Sequence, residues 1–328
     1  MKYVITGGAG FIGSNLVKFF SVELKKNVCV IDDINKQNIK NIDKRKNILL
    51  IKSNEIRKFL KKNKDSINLV VHMGAITSTT VTDAKLVVRN NVDLSIFLWE
   101  WCSKNKVRLF YASSAATYGN GKNGFFDDQS VNYLYKLNPL NLYGWSKHII
   151  DRYIMNQVYY KKKFPPQWVG LKFFNVYGPN EYHKKDMKSI VCKIFEKVRE
   201  NKEIFLFKSH NELYKDGEQL RDFIYVKDVI KLVGWLEKNK EISGIFNVGS
   251  GKARSFKDLA YSVIKNINSK REIKYIETPK NIRRNYQYFT ESCNNKLRKL
   301  GFKPKLYSLE EGISDYVKCY LIKKDKYL

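Results

Sequence analysis

The chain has 328 residues, 43% hydrophobic and 14% aromatic, which suits one large or two modest globular domains with a shared core. Its formal charge of +29 would suit a polyanion, but the lysines lie along the whole chain among Asn and Ile, as in Lys61-Lys62-Asn63-Lys64. No RNA- or DNA-binding motif and no basic helix with base-reading spacing accompanies them, so no specific nucleic-acid partner is expected. No apolar run approaches the ~18–20 residues of a membrane span, and Lys2 leads straight into a strand rather than a leader. Five scattered cysteines without a C-x-x-C pair argue against a disulfide framework and a zinc site. The expectation is a cytoplasmic protein with no metal and no membrane partner.

Tyr3–Thr6 reads as a short buried strand, Gly7–Gly13 as a turn, and Phe11–Leu24 as a helix. In Gly7-Gly8-Ala9-Gly10-Phe11-Ile12-Gly13, Gly7 and Gly10 let the backbone turn and approach a pyrophosphate at the helix start, while Gly13 allows close helix–strand packing. The second strand, Val28–Ile31, ends in Asp32-Asp33, and strand, loop, helix and acid in this order point to a dinucleotide site with Asp32 at the adenosine ribose. Two carboxylates there disfavour a ribose 2′-phosphate and so favour NAD.

Leu69–Val71 is the next strand, followed by His72-Met73-Gly74-Ala75, whose small residues would let backbone lie against a cofactor. His72 reads as a structural histidine. One of Asn90 and Asn91, just before the helix Val92–Cys102, is expected to hold the cofactor or to brace the adjoining strand.

Strand Arg108–Ala112 runs into Ser113-Ser114-Ala115-Ala116, and Tyr143-Gly144-Trp145-Ser146-Lys147 follows. Residues four apart on a helix share a face, so the Tyr143 phenol and Lys147 ammonium project into one space. A nearby cation favours phenolate, which would make Tyr143 a general base toward a substrate hydroxyl, with Ser114 orienting the reacting oxygen. Trp168–Phe174 and Gly244–Val248 read as later strands, and strand–helix alternation implies a parallel sheet covered on both faces. The charge-rich parts between about Tyr177 and Arg221 and after Gly251 read as a smaller domain.

The T-G-G-A-G-F-I-G loop, the S-S-A-A-T-Y-G strand end and Y-G-x-S-K resemble the extended short-chain dehydrogenase/reductase family. Dehydratases of that family carry an Asp-Glu pair where this chain has Ala115-Ala116, so epimerase is preferred to dehydratase. Gly74–Thr80 with Asp83, Tyr111–Gly119, Phe174–Pro179 with His183-Lys184, Arg221–Val226 with Asp228, and Tyr286–Thr290 further resemble the ADP-L-glycero-D-manno-heptose 6-epimerase family. This resemblance implies epimerisation at C6 of ADP-heptose for the lipopolysaccharide core, with bound NADP and a homo-oligomer, typically a pentamer. It implies a Rossmann-type doubly wound α/β domain over 1–175 plus 222–251 and a smaller α/β substrate domain over 176–221 plus 252–328.

By the same resemblance, Tyr143, Lys147 and Lys184 are acid–base positions and Ser114 the orienting hydroxyl. Gly7, Gly10, Phe11, Ile12, Gly13, Asp32, Asp33, Lys40, Met73, Gly74, Ala75, Ile76, Thr77, Asn90, Lys147 and Val176 fall at cofactor positions, with Lys40 able to offset the two aspartates toward NADP. Ser114, Asn175, Asp186, Lys193, Phe207, Lys208, Ser209, His210, Arg221 and Tyr286 fall at substrate positions, where Arg221 suits a diphosphate. The chain departs from the family at Lys193 (a histidine there), at Asp186 (a serine), at Lys208-Ser209-His210 (Glu-Gly-Ser) and in a longer Asn211–Leu220 loop. The competing readings are another nucleotide-sugar epimerase or reductase, and a catalytically silent dinucleotide-binding sensor.

Overall fold

The structure is a computed structural model that describes residues 2–42, 48–283 and 286–328. Seven strands form its central sheet: β1 (Lys2–Thr6), β2 (Asn27–Ile31), β3 (Ile48–Ile51), β4 (Ile67–His72), β5 (Arg108–Ser114), β6 (Trp168–Phe173) and β10 (Gly244–Val248). They pair in parallel in the order β10-β6-β5-β4-β1-β2-β3. Both faces are covered, because strand residues alternate between two apolar layers. Tyr3, Ile5, Val28 and Val30 pack with Leu16 and Phe20 on one face. Val4, Cys29, Ile31 and Val70 pack with Leu60, Leu98 and Trp99 on the other. This is the doubly wound α/β architecture expected from the sequence.

The strands outside the sheet are β7 (Asn175–Tyr177), β8 (Ile204–Phe207), β9 (Leu220–Tyr225), β11 (Ala253–Ser255) and β12 (Ile273–Ile276). They make a three-stranded β11-β9-β7 sheet and a parallel β12-β8 pair. Helices Ile190–Arg199, Phe256–Asn266 and Leu309–Tyr316 cover them with a third apolar cluster that includes Val191, Phe195, Leu259 and Ile313. The chain order reverses between β1 and β4, which opens a crevice beyond their C-terminal ends.

The first helix is shorter than its apolar periodicity suggests: Phe11–Lys18 is α-helical and Phe19–Glu23 continues as a π turn. The helix before β5 is likewise Leu94–Asn105, preceded by a π turn at Val88–Asp93. Among the described residues no helix is long and apolar enough to cross a membrane.

Candidate active site

A cleft of about 930 Å³ lies over the crevice, between the sheet and the smaller elements. Its floor is the glycine loop. Gly7 has φ +65°, and a Cβ there would fall 2.5 Å from the Gly74 nitrogen; a Cβ on Gly13 would fall 2.0 Å from the Gly7 carbonyl. The helix Phe11–Lys18 starts at Gly10 without a side-chain cap, so its first N–H groups are available to an anion. The close-packed cradle and the uncapped helix start fit a nicotinamide dinucleotide. Asp32 is half-buried; its carboxylate accepts from the backbone of Ala9 and of Asp33, both at 2.8 Å. Burial pushes its pKa up against those bonds.

The Met73–Thr77 segment lines the wall next to this loop. Asn91, 0% exposed, holds it by accepting from Ile76 N at 2.8 Å and donating to Ile76 O at 3.0 Å and to Ser146 Oγ at 2.9 Å. Asn91 therefore braces the strand end. Asn90 donates instead to the Leu86 carbonyl of its own helix and is not among the cleft-lining residues. His72 is buried between Thr6 Oγ1 at 2.7 Å and Ser95 Oγ at 2.9 Å, a structural histidine as read from the sequence.

Asn141 caps the helix Leu142–Tyr159 by accepting from Gly144 N at 2.9 Å, which sets Tyr143 and Lys147 on its cleft-facing side. Ser114, at the end of β5, hydrogen-bonds the Tyr143 phenol, and this bond lowers the phenol pKa. The expected dominance of the cation is corrected here: Tyr143 has its pKa raised, because desolvation by the cleft walls outweighs the Ser114 bond. Lys147 is 3% exposed, and burial pushes its own pKa down to about 8 although Asp151 favours its charge. The ammonium thus has a weakened hold on its proton.

The 3₁₀ segment Tyr182–Met187 brings His183 and Lys184 to the cleft. The Lys184 ammonium lies 5.5 Å from the centroid of the Phe11 ring. Burial lowers its pKa, with Glu181 opposing and Lys193 reinforcing the shift. Arg221 is 7% exposed and sits over Tyr286 (5.3 Å) and Phe256 (5.6 Å), and its one hydrogen bond among the described residues goes to the Leu220 carbonyl. A buried guanidinium without a carboxylate partner suits an anionic ligand.

The cleft thus gathers Gly7, Gly10, Phe11, Ile12, Gly13, Asp32, Met73–Thr77, Ser114, Tyr143, Lys147, Asn175, Val176, Lys184, Phe207, Arg221 and Tyr286. Lys40, Asp33 and Asp186 are exposed outside it, and Lys193 is half-buried on its own helix. Lys208 and His210 both reach Glu277, each at 3.2 Å, and Ser209 N donates to Asp216 at 2.8 Å. Motif reading passed over Asn38, Lys188 and Phe256, which also line the cleft.

The model of the NAD dependent epimerase/dehydratase family matches residues 3–249. The chain is 45% identical to an ADP-L-glycero-D-manno-heptose-6-epimerase of Fusobacterium nucleatum, with 99% of each chain covered. Among solved structures it is similar to the Helicobacter pylori ADP-L-glycero-D-manno-heptose-6-epimerase, at 30% identity and TM-score 0.77 over 96% of this chain and 94% of that one. It is also similar to a UDP-glucuronic acid 4-epimerase of Bacillus cereus in complex with NAD, at 25% identity and TM-score 0.78 over 97% of this chain and 99% of that one.

Proposed function

Because the chain belongs to the NAD dependent epimerase/dehydratase family, we propose that it inverts C6 of the heptose in ADP-D-glycero-D-manno-heptose, giving ADP-L-glycero-D-manno-heptose for the lipopolysaccharide core. The observation that carries this reading is the convergence of Tyr143, Ser114 and Lys184 on the same cleft as the glycine loop and the buried Arg221. A sensor would need the loop but not this proton-transfer chemistry.

A bound nicotinamide supplies the hydride acceptor and donor. The chain's residues do the rest. Ser114 Oγ orients the C6 oxygen, and Tyr143 Oη takes its proton as the carbinol becomes a ketone. Lys147, one helical turn from Tyr143, favours the phenolate form that accepts this proton and leaves a neutral phenol. The ketone then presents its other face, and Lys184 protonates the C6 oxygen. Arg221 holds the diphosphate while the heptose turns. Closed walls keep water from the ketone, and no net redox change occurs.

The proposal extends to the bound form and assembly. NADP is the proposed cofactor by family resemblance, with the Asp32 carboxylate already accepting from the backbone N–H groups of Ala9 and Asp33. The protein works in the cytoplasm as a homo-oligomer, a pentamer by family resemblance, with residues 1–175 plus 222–251 holding the dinucleotide and 176–221 plus 252–328 holding the sugar. The test is incubation with ADP-D-glycero-D-manno-heptose and no added reductant, followed by NMR at C6, with mass spectrometry of the cofactor released on denaturation. The expected result is a mixture of the two C6 epimers and released NADP. Unchanged substrate would refute the activity, and NAD alone would refute the cofactor choice.

A further inference from the structure

The segment that carries Lys184 is fastened to the glycine loop by a side chain outside every motif. Asn41 lies in the 3₁₀ turn Ile39–Asn41 between β2 and β3 and is 1% exposed. Its Nδ2 donates to the Ala9 carbonyl at 2.8 Å and lies 3.2 Å from Nδ1 of His183. Its Oδ1 is buried without a hydrogen-bond partner among the described residues. The opposite amide orientation would set Oδ1 against the Ala9 carbonyl, acceptor facing acceptor, so Ala9 decides which atom of Asn41 meets the imidazole. A donor in that place requires an unprotonated Nδ1, which puts the proton of neutral His183 on Nε2. Burial and the Lys184 cation keep the ring neutral, against the Asn180 carbonyl, which favours its protonation.

We infer that Asn41 is a positioning residue: it locks His183 as the neutral Nε2–H tautomer and thereby pins the Lys184 segment to the dinucleotide-binding loop. A second positive charge is kept away from Lys184, which already feels Lys193. Ala9 and Phe11, one bonded to Asn41 and the other facing the Lys184 ammonium, belong to the same loop. The placement of Lys184 therefore depends on the backbone that holds the cofactor. The kinetic side of this inference rests on the proposed role of Lys184 in proton transfer; the tautomer does not.

The chain has four histidines, so the ¹⁵N-labelled imidazoles of the full-length, cofactor-loaded protein can be assigned by single substitutions. Long-range ¹H–¹⁵N spectra at neutral pH should show His183 protonated on Nε2 alone. Asn41→Asp exchanges the donor for an acceptor and should move a proton onto Nδ1 and lower kcat about tenfold. A wild-type ring protonated on Nδ1, or a tautomer indifferent to Asn41→Asp, overturns the inference. If Asn41→Asp does not fold, His183→Phe and His183→Gln replace it, because a glutamine carbonyl can accept the same amide proton. The Phe variant should lose about tenfold in kcat and the Gln variant recover most of it, and equal losses would count against the lock. A Lys184→Met variant with full kcat would instead remove Lys184 from the chemistry and leave the His183 spectrum as stated.

Discussion

The Lys172 ammonium lies 2.7 Å from the Asp151 carboxylate, and both side chains are wholly removed from solvent. The pair sits behind the reacting groups. Asp151 also accepts from Ser113 Oγ at 2.7 Å and Tyr111 Oη at 3.1 Å, and Lys172 donates to Thr117 Oγ1 at 2.6 Å. Thr117 in turn donates to the Ser114 carbonyl at 2.8 Å, so the network ends on the backbone of the residue that meets Tyr143.

Removing one partner of this pair strands a charge in the core. Lys172→Met should therefore cost about 3–5 kcal/mol of stability, whereas Lys172→Met combined with Asp151→Leu should recover a good part of it. Denaturant unfolding of the two variants and the wild type checks this through a double-mutant comparison. Equal losses in the single and double variants would mean that packing, not charge, dominates at this site.

Tyr143→Phe removes one oxygen and leaves the ring packing in place. Turnover should fall by about 10²–10⁴-fold while the thermal midpoint and cofactor content stay close to wild type. Single-turnover epimerisation followed by NMR provides the measurement. Near wild-type turnover would assign the proton transfer to another group.

Lys184→Met distinguishes acid–base work from anchoring of the diphosphate. A proton-transfer role lowers kcat at saturating substrate, and a phosphate contact raises KM with kcat kept. The expected outcome is loss of kcat, since Arg221 supplies for the diphosphate a buried cation that has no carboxylate partner among the described residues. A pure KM effect would leave Tyr143 serving both epimers.

The parts legible in the sequence are those where local chemistry admits few residue types. The glycine loop is one, since a Cβ at Gly13 would collide with the Gly7 carbonyl. The Tyr143–Lys147 spacing is another, because one helix face fixes it. What was hidden depends on partners far along the chain. Lys172 stands inside a run that reads simply as a buried strand, and its partner Asp151 lies on a different element. Lys208 and His210 are drawn to Glu277 by the β8–β12 pairing, which no local pattern announces. Strand β3 escaped notice because it lies at the sheet edge with Leu49 and Leu50 exposed, so no buried alternation marks it. Asn41 carries no signal at all until the Ala9 carbonyl and His183 are seen on either side of it.

His148 supplies the last prediction. It is 0% exposed, neither ring nitrogen has a hydrogen-bond partner among the described residues, and its ring packs edge-on against Trp145 at 5.6 Å. Burial pushes its pKa down to about 4, with Lys172 and Arg152 adding to the shift and Asp151 opposing it. A histidine with a depressed folded pKa binds its proton more readily once unfolded. Its contribution to stability is therefore fully present above the unfolded pKa of ~6.5 and is lost progressively as pH falls toward about 4. His148→Phe keeps a ring against Trp145 and removes both the titration and the two unpaired nitrogens. It should gain on the order of 1–3 kcal/mol near neutral pH, from the relieved desolvation of unmade hydrogen bonds. The advantage should widen as the pH is lowered through the window between the two pKa values, where the wild type must neutralise or expel the proton and the variant need not. Urea unfolding of both proteins at a series of pH values provides the comparison. A stability difference independent of pH would show that His148 has a partner or a water that holds its proton in the folded state.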